Sequence, residues 1–241
     1  MVIILSNKEW YKRGLHDGIP IALGYFAVAF ALGITAKHAG LTAIQTFLAT
    51  LLTNASAGAY AGFKIIEENA PYLDMALTIF VVNIRYFLMS CALSQKLAPK
   101  TSLLHRVAIG FDVTDEIFGI SMAVKGDLNP FYNYGAMTVS IPCWATGAAL
   151  GVVMGEVLPT SLVNALGVGL YGMFLAIIIP PARKNRAIAG MVITAMAASF
   201  AFTKIPFFAT MSSGIRVIVL TVVIALGAAI LFPVKEELEN E

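Results

Sequence analysis

The chain has 241 residues, of which 59% are hydrophobic and only 12% charged, with a formal net charge of +2. Soluble domains carry about 25% charged residues, so this composition excludes an ordinary soluble fold and a disordered one. The few basic residues sit in short connections and form no patch suited to nucleic acid. Residues 38–63, 128–155 and 157–182 contain no Asp, Glu, Lys or Arg, and 187–203 and 217–234 are shorter runs of the same kind. Such runs are the length of bilayer crossings. The expected fold is therefore all-α: a polytopic transmembrane helical bundle of about six to eight spans in a single domain. Cys91 and Cys143 both lie in apolar segments and read as small buried hydrophobes, with neither a disulfide framework nor metal-ligand spacing.

Residues 1–16 read as a basic arm, with Lys8, Lys12 and Arg13 beside the interface formers Trp10 and Tyr11. The first span is expected at about residues 17–36, too long for a signal peptide and without a small-residue cleavage site. Gly18, Gly24 and Gly33 along it suit close helix packing. A second segment runs from Gly40-Leu41 to Lys64, with TNASAGAYAG at its centre (residues 53–62). Asn54, Ser56 and Gly58 are poor helix-interior residues. Two readings follow: a discontinuous helix exposing N–H and carbonyl groups near the midplane, or a continuous helix with a tightly packed small-residue face.

An acidic loop with Glu67, Glu68, Pro71 and Asp74 leads to a long apolar stretch, residues 74–96, with Asn83 and Arg85 at its centre. At 1.5 Å per residue, Arg85 would sit roughly 15 Å inside the bilayer. A guanidinium there costs at least about 3 kcal/mol unless it meets a partner, a cavity or a substrate. After a basic loop with Lys96, Lys100, His105 and Arg106 comes an unusual segment, residues 107–124, where Asp112, Asp115 and Glu116 interrupt an apolar background. A continuous helix would gather these carboxylates on one face. That face is either a solvated surface or a re-entrant element aiming carboxylates into a cavity, where they could neutralise Arg85, hold an ammonium group or carry protons.

Gly126 to Pro130 is a turn. Spans are expected at about residues 132–157 (with Pro142, Gly147 and Gly151), 160–179, 187–203 and 215–231. Arg183-Lys184-Asn185-Arg186 is the most basic short loop and is expected in the cytoplasm, as is the polar tail at 232–241. ALGITAKHAGLT (residues 31–42) aligns loosely with ALGVVMGEVLPT (149–160) at an offset of 118, which suggests an internal repeat of three spans. A cytoplasmic N-terminus with three full crossings would put the 96–106 loop outside, against the positive-inside bias. A re-entrant 41–64 segment removes the conflict and gives fewer spans; a crossing at 107–124 gives more.

GLHDGIPIALGYFAVAFALG (14–33), Gly40-Leu41, the Ser-Ala-Gly element at 56–58, NIRYFLMS (83–90) and TDEIFG (114–119) occur in that order. In these elements the chain resembles the AzlC family, the large subunits of two-component branched-chain amino acid exporters. The resemblance covers most of the chain and is strongest over residues 14–119. It implies a multi-pass protein of a prokaryotic plasma membrane, exporting leucine, isoleucine, valine or methionine with a small hydrophobic AzlD-type subunit. One departure stands out. Many members carry a glutamine in the broken segment, whereas this chain reads Ala57-Gly58-Ala59-Tyr60-Ala61.

No catalytic set, cofactor motif or metal site is expected: His16, His38 and His105 are scattered, and no nucleophile elbow or phosphate loop occurs. The leading expectation is a secondary exporter of small neutral amino acids. Asn54, Ser56, Gly58, Asn83 and Arg85 are its candidate substrate-binding residues, with Asp112, Asp115 and Glu116 as partners for an ammonium group or a coupling proton. In the competing reading Arg85 only braces the bundle through an ion pair with one of those carboxylates. The alternatives in function are a non-transporting membrane subunit or scaffold, and a transporter of another small organic substrate. Partners are then the small subunit, the substrate, lipid and, as an option, further copies of the chain.

Overall fold

In the computed structural model the described residues are 6–159, 185–205 and 213–232, with a few isolated positions between them. Their helices are α1 (Asn7–His38), α2 (Ala43–Thr53), α3 (Ser56–Glu67), α4 (Tyr72–Lys96), α5 (Leu103–Gly110), α6 (Asp115–Ala123), α7 (Pro130–Val157), α8 (Arg186–Lys204) and α9 (Ser213–Leu231). The span expected at 160–179, the loop that follows it and the tail at 232–241 lie, apart from single positions, outside the described residues. Four helices, α1, α4, α7 and α8, are long and apolar enough to cross a membrane. The all-helical membrane bundle expected from the apolar runs is the observed architecture.

The arm expected at residues 1–16 is not separate from the first span. Helix α1 already starts at Asn7, because Ser6 and Glu9 form a reciprocal capping box: Glu9 N–H donates to Ser6 Oγ at 3.3 Å and Ser6 N–H to the Glu9 carboxylate at 2.6 Å. The basic turns are then fixed against α7. Trp10 meets Tyr132 edge-on at 6.2 Å, and the Arg13 guanidinium lies over both rings at 5.5 and 5.9 Å.

Helices α1 and α7 form the spine, and they run parallel. A Cβ on Gly14 would meet the Tyr132 backbone, one on Gly18 the Ala136 backbone, and one on Gly33 the backbones of Ala148 and Gly151. The partner numbers rise together, at a constant separation of 118 for Gly14–Tyr132, Gly18–Ala136 and Gly33–Gly151. The offset found in the sequence is thus the contact register of the two helices. Small residues on both sides bring the backbones together, as expected where lipid supplies no hydrophobic drive between helices.

The two interrupted segments are half-depth hairpins. Segment 43–67 breaks at Asn54, which takes a left-handed conformation (φ 38°) between α2 and α3. This decides the alternatives left open by the sequence in favour of the discontinuous helix. Helix α2 starts just beyond the end of α1, and Phe63, near the end of α3, returns to a buried cluster with Leu32 and Ala36. The hairpin therefore enters from and leaves by the face where α1 ends. At 1.5 Å per residue its arms are about 17–18 Å long, roughly half a bilayer.

Hairpin α5–α6 enters from the opposite face. Arg106 on α5 ties it to the end of α4, donating to the carbonyls of Ser94, Thr101 (3.2 Å) and Ala98 (3.4 Å) and to Ser94 Oγ at 2.7 Å. At its other end Val124 packs in a cluster with Leu93, Leu97 and Leu128. Lys96 and Leu128 are themselves joined, with Leu128 N–H donating to Lys96 O at 2.9 Å, so α4 ends where α7 begins. With both hairpins re-entrant, the 96–106 loop lies on the same face as the start of α1, and the topological conflict disappears. Helices α8 and α9 form an antiparallel pair, with Arg186 and Ala187 beside Leu231 and Phe232, and Val217 near Thr78 and Lys64.

Candidate functional site

The tips of the two hairpins meet between α1, α4 and α7. Asn54 and Ser56 come from the first tip, Thr114, Asp115 and Glu116 from the second. Tyr25 and Val28 from α1, Tyr86 from α4 and Trp144 from α7 complete the lining. The pocket is narrow, with room for about one water. It is polar at one end and bounded by aromatic rings, with Tyr25 and Trp144 edge-on at 5.7 Å.

Two polar contacts organise it. Arg85 Nη1 pairs with Asp115 Oδ2 at 2.7 Å, while its Nη2 reaches the Tyr86 hydroxyl at 3.3 Å and the guanidinium lies 5.0 Å from the Tyr86 ring centre. The cost of the mid-span charge is met by a carboxylate on the facing hairpin. Beside it, the Tyr25 hydroxyl lies 2.8 Å from Glu116 Oε2 and 2.5 Å from Thr114 Oγ1. With one proton on each hydroxyl, Tyr25 donates to the carboxylate and accepts from Thr114.

The carboxylates do not share one helical face. The chain leaves helix after Gly110 and re-enters it at Asp115, with Thr114 as N-cap accepting the Ile117 N–H at 3.3 Å. Asp115 and Glu116 occupy the first turn of α6, where the helix dipole favours them. Asp112 sits in the break, 2% exposed, and turns to Ser140 of α7 at 3.4 Å. This overturns both the continuous helix and the solvated acidic face. The Thr-Asp-Glu run was a legible capping signal for the start of a helix at this point.

Of the other candidate residues, Asn54 and Ser56 line the pocket and Gly58 and Asn83 do not. Gly58 lies under the Asn83 amide, where an added Cβ would come within 2.5 Å of Nδ2, so these two fix the packing of α3 on α4. Arg85 stands behind Asp115 and Tyr86 and is not among the lining residues. Tyr25 and Trp144 were missed in the sequence. Their signal was position: Tyr and Trp belong at the bilayer interface, and in mid-span they need an internal partner for the polar end.

Comparison with known proteins agrees with this architecture of a membrane-embedded bundle. A family model described as "AzlC protein" matches residues 20–158, which hold both hairpins and the whole pocket. An uncharacterized membrane protein of Archaeoglobus fulgidus is 30% identical over 178 residues, covering 73% of this chain and 78% of the relative. Inner membrane protein YgaZ of Escherichia coli K12 is 22% identical over 185 residues, covering 74% and 76%. No solved structure matches the chain. With the family model spanning more than half of its length, the chain belongs to the AzlC family of membrane proteins.

Proposed function

We propose that this protein is a secondary transporter that exports small neutral, branched-chain amino acids, as the large subunit of a pair with a small AzlD-type membrane protein. One observation carries the reading: two half-depth hairpins entering from opposite faces place their tips at a single polar pocket at mid-depth. Breaks of this kind offer backbone groups and short polar side chains where lipid can satisfy none, and they recur where transporters hold small substrates. A zwitterion needs compensation at both ends in a dry site. Donors at the Asn54–Ser56 break stand on one side of the lining, and Glu116 with Asp115, which Arg85 holds from behind, on the other. The apolar walls, Val28 and the rings of Tyr25 and Trp144, suit an aliphatic side chain. Such walls separate homologues by only about 1–3 kcal/mol per methylene, which favours a group of related substrates over a single one. The contracted volume corresponds to a closed state, so substrate enters only when the hairpins shift.

Charge supports a cytoplasmic placement for the face where α1 begins. Lys8, Lys12, Arg13, Lys96, Lys100, Arg106, Lys125 and Arg186 lie there. The opposite face has Lys37, Lys64, Lys204 and Arg216 against Glu67, Glu68 and Asp74. Helix α9 ends on the basic face, so the expected cytoplasmic tail follows from the same orientation.

Counterflow in proteoliposomes tests the function. The chain alone, and the chain with its small subunit, are loaded with a panel of unlabelled amino acids and supplied with labelled leucine. Exchange restricted to leucine, isoleucine, valine and methionine is expected. Absence of amino acid exchange in both preparations refutes transport.

A further inference from the structure

Two donors buried at the pocket have no use in the closed state. Asn54 is 8% exposed, and neither Oδ1 nor Nδ2 has a partner; Trp144 is 4% exposed, and its Nε1 has none. Each such group costs about 1–3 kcal/mol when left unpaired in a low-dielectric interior. Both stand beside the start of α3, a 12-residue helix that begins inside the bundle. Its N-cap, Ala55, has no side-chain acceptor, so the first-turn N–H groups of Ser56, Ala57 and Gly58 are without a side-chain cap. The left-handed turn at Asn54 keeps its amide next to that turn. The start of α6, across the pocket, differs: Thr114 caps it and Asp115 and Glu116 already supply its negative charge.

The pocket is thus polarised, with unfilled donors at α3 and carboxylates at α6. Arg85 is excluded from the donor end, since its guanidinium is engaged by Asp115 and Tyr86 and does not line the cavity. The geometry points to a carboxylate-binding subsite at the N-terminus of α3, completed by Asn54 and Trp144, with the ammonium group of the substrate facing Glu116. This placement rests on the transport reading given above, and it makes Arg85 a positioning residue that acts through Asp115. A helix N-terminus favours an anion by its aligned N–H groups and its dipole. The amide and the indole N–H add directional bonds to a charged acceptor, the stronger kind.

The test separates the two ends of the substrate. Trp144→Phe removes the N–H and keeps the ring against Tyr25; Asn54→Gly removes the amide and keeps the left-handed turn. The wild type and both variants are reconstituted with the small subunit, after checking that their melting temperatures in detergent agree. Leucine counterflow is measured, with 3-methylbutylamine, which is leucine without its carboxylate, as inhibitor. Each variant is expected to raise the half-saturating leucine concentration about tenfold, the loss of one bond to a charged group. The amine should inhibit wild type and variants alike. Unchanged leucine half-saturation in both variants, or equal weakening of leucine and amine, overturns the subsite. Absence of leucine exchange by the wild type is a different result and overturns the transport reading itself.

Discussion

Removing one partner of the Arg85–Asp115 pair exposes the most costly feature of this bundle. At 2.7 Å two unit charges attract by about 6 kcal/mol at an effective dielectric of about 20. The side chains are 39% and 30% exposed, and desolvation offsets part of the attraction, so a net coupling of about 2–3 kcal/mol is expected. Arg85→Ala and Asp115→Ala each leave an unpaired charge at mid-depth, at a cost of about 3 kcal/mol, the low end for broken buried pairs. The double variant leaves none and should cost less than the sum of the two. Thermal unfolding of the purified protein in detergent reads this out. For a chain of this size 1 kcal/mol is about 2–4 °C, so each single variant should melt about 6–12 °C lower, and the double variant well short of twice that. Additivity to within about 0.5 kcal/mol would refute the pair as an energetic unit. Arg85→Lys tests the geometry: an ammonium group lacks the fork that spans Asp115 and the Tyr86 hydroxyl. That variant should assemble yet lose most transport, and wild-type counterflow would argue against the positioning role.

The spine and the hairpins yield two further predictions. Gly33→Ala would place Cβ 2.0 Å from the Ala148 carbonyl oxygen, so α1 and α7 must separate, at about 1–3 kcal/mol. Gly24→Ala meets nothing within 4 Å and should be neutral or stabilising by up to about 1 kcal/mol; equal melting temperatures for the two variants would contradict the parallel contact. In a background lacking Cys91 and Cys143, single cysteines at Lys8, Lys100 and Lys125 should react with a membrane-impermeant maleimide from one face, and a cysteine at Glu68 from the other. Labelling of positions 8 and 68 from the same face, or of positions 100 and 125 from opposite faces, would sink the corresponding re-entrant hairpin.

Several features of this protein were legible in its residues because they rest on local terms. Uncharged runs of bilayer length report a transfer free energy that each segment carries by itself, and they identify the membrane bundle. Gly, Asn and Ser within residues 53–62 weaken a helix wherever it is placed, and the break is found there at Asn54. Arg85 in mid-span requires a partner regardless of which one the fold supplies. The Ser6 and Thr114 caps were equally local, and reading them would have started α1 at Asn7 and separated Asp112 from Asp115.

Tertiary structure decided the rest. Whether residues 41–64 and 107–124 cross or turn back depends on where their ends are tied, through Arg106 to the end of α4 and through Phe63 to the end of α1. Each tie joins two different helices, so neither is a property that one segment carries by itself. The choice of Asp115 for Arg85, of Glu116 for Tyr25 and of Ser140 for Asp112 follows from the depth at which each half-helix stops. Three carboxylates within five residues are alike to any local measure. Only the packed bundle, which sets a different neighbour against each, gives them different chemistry.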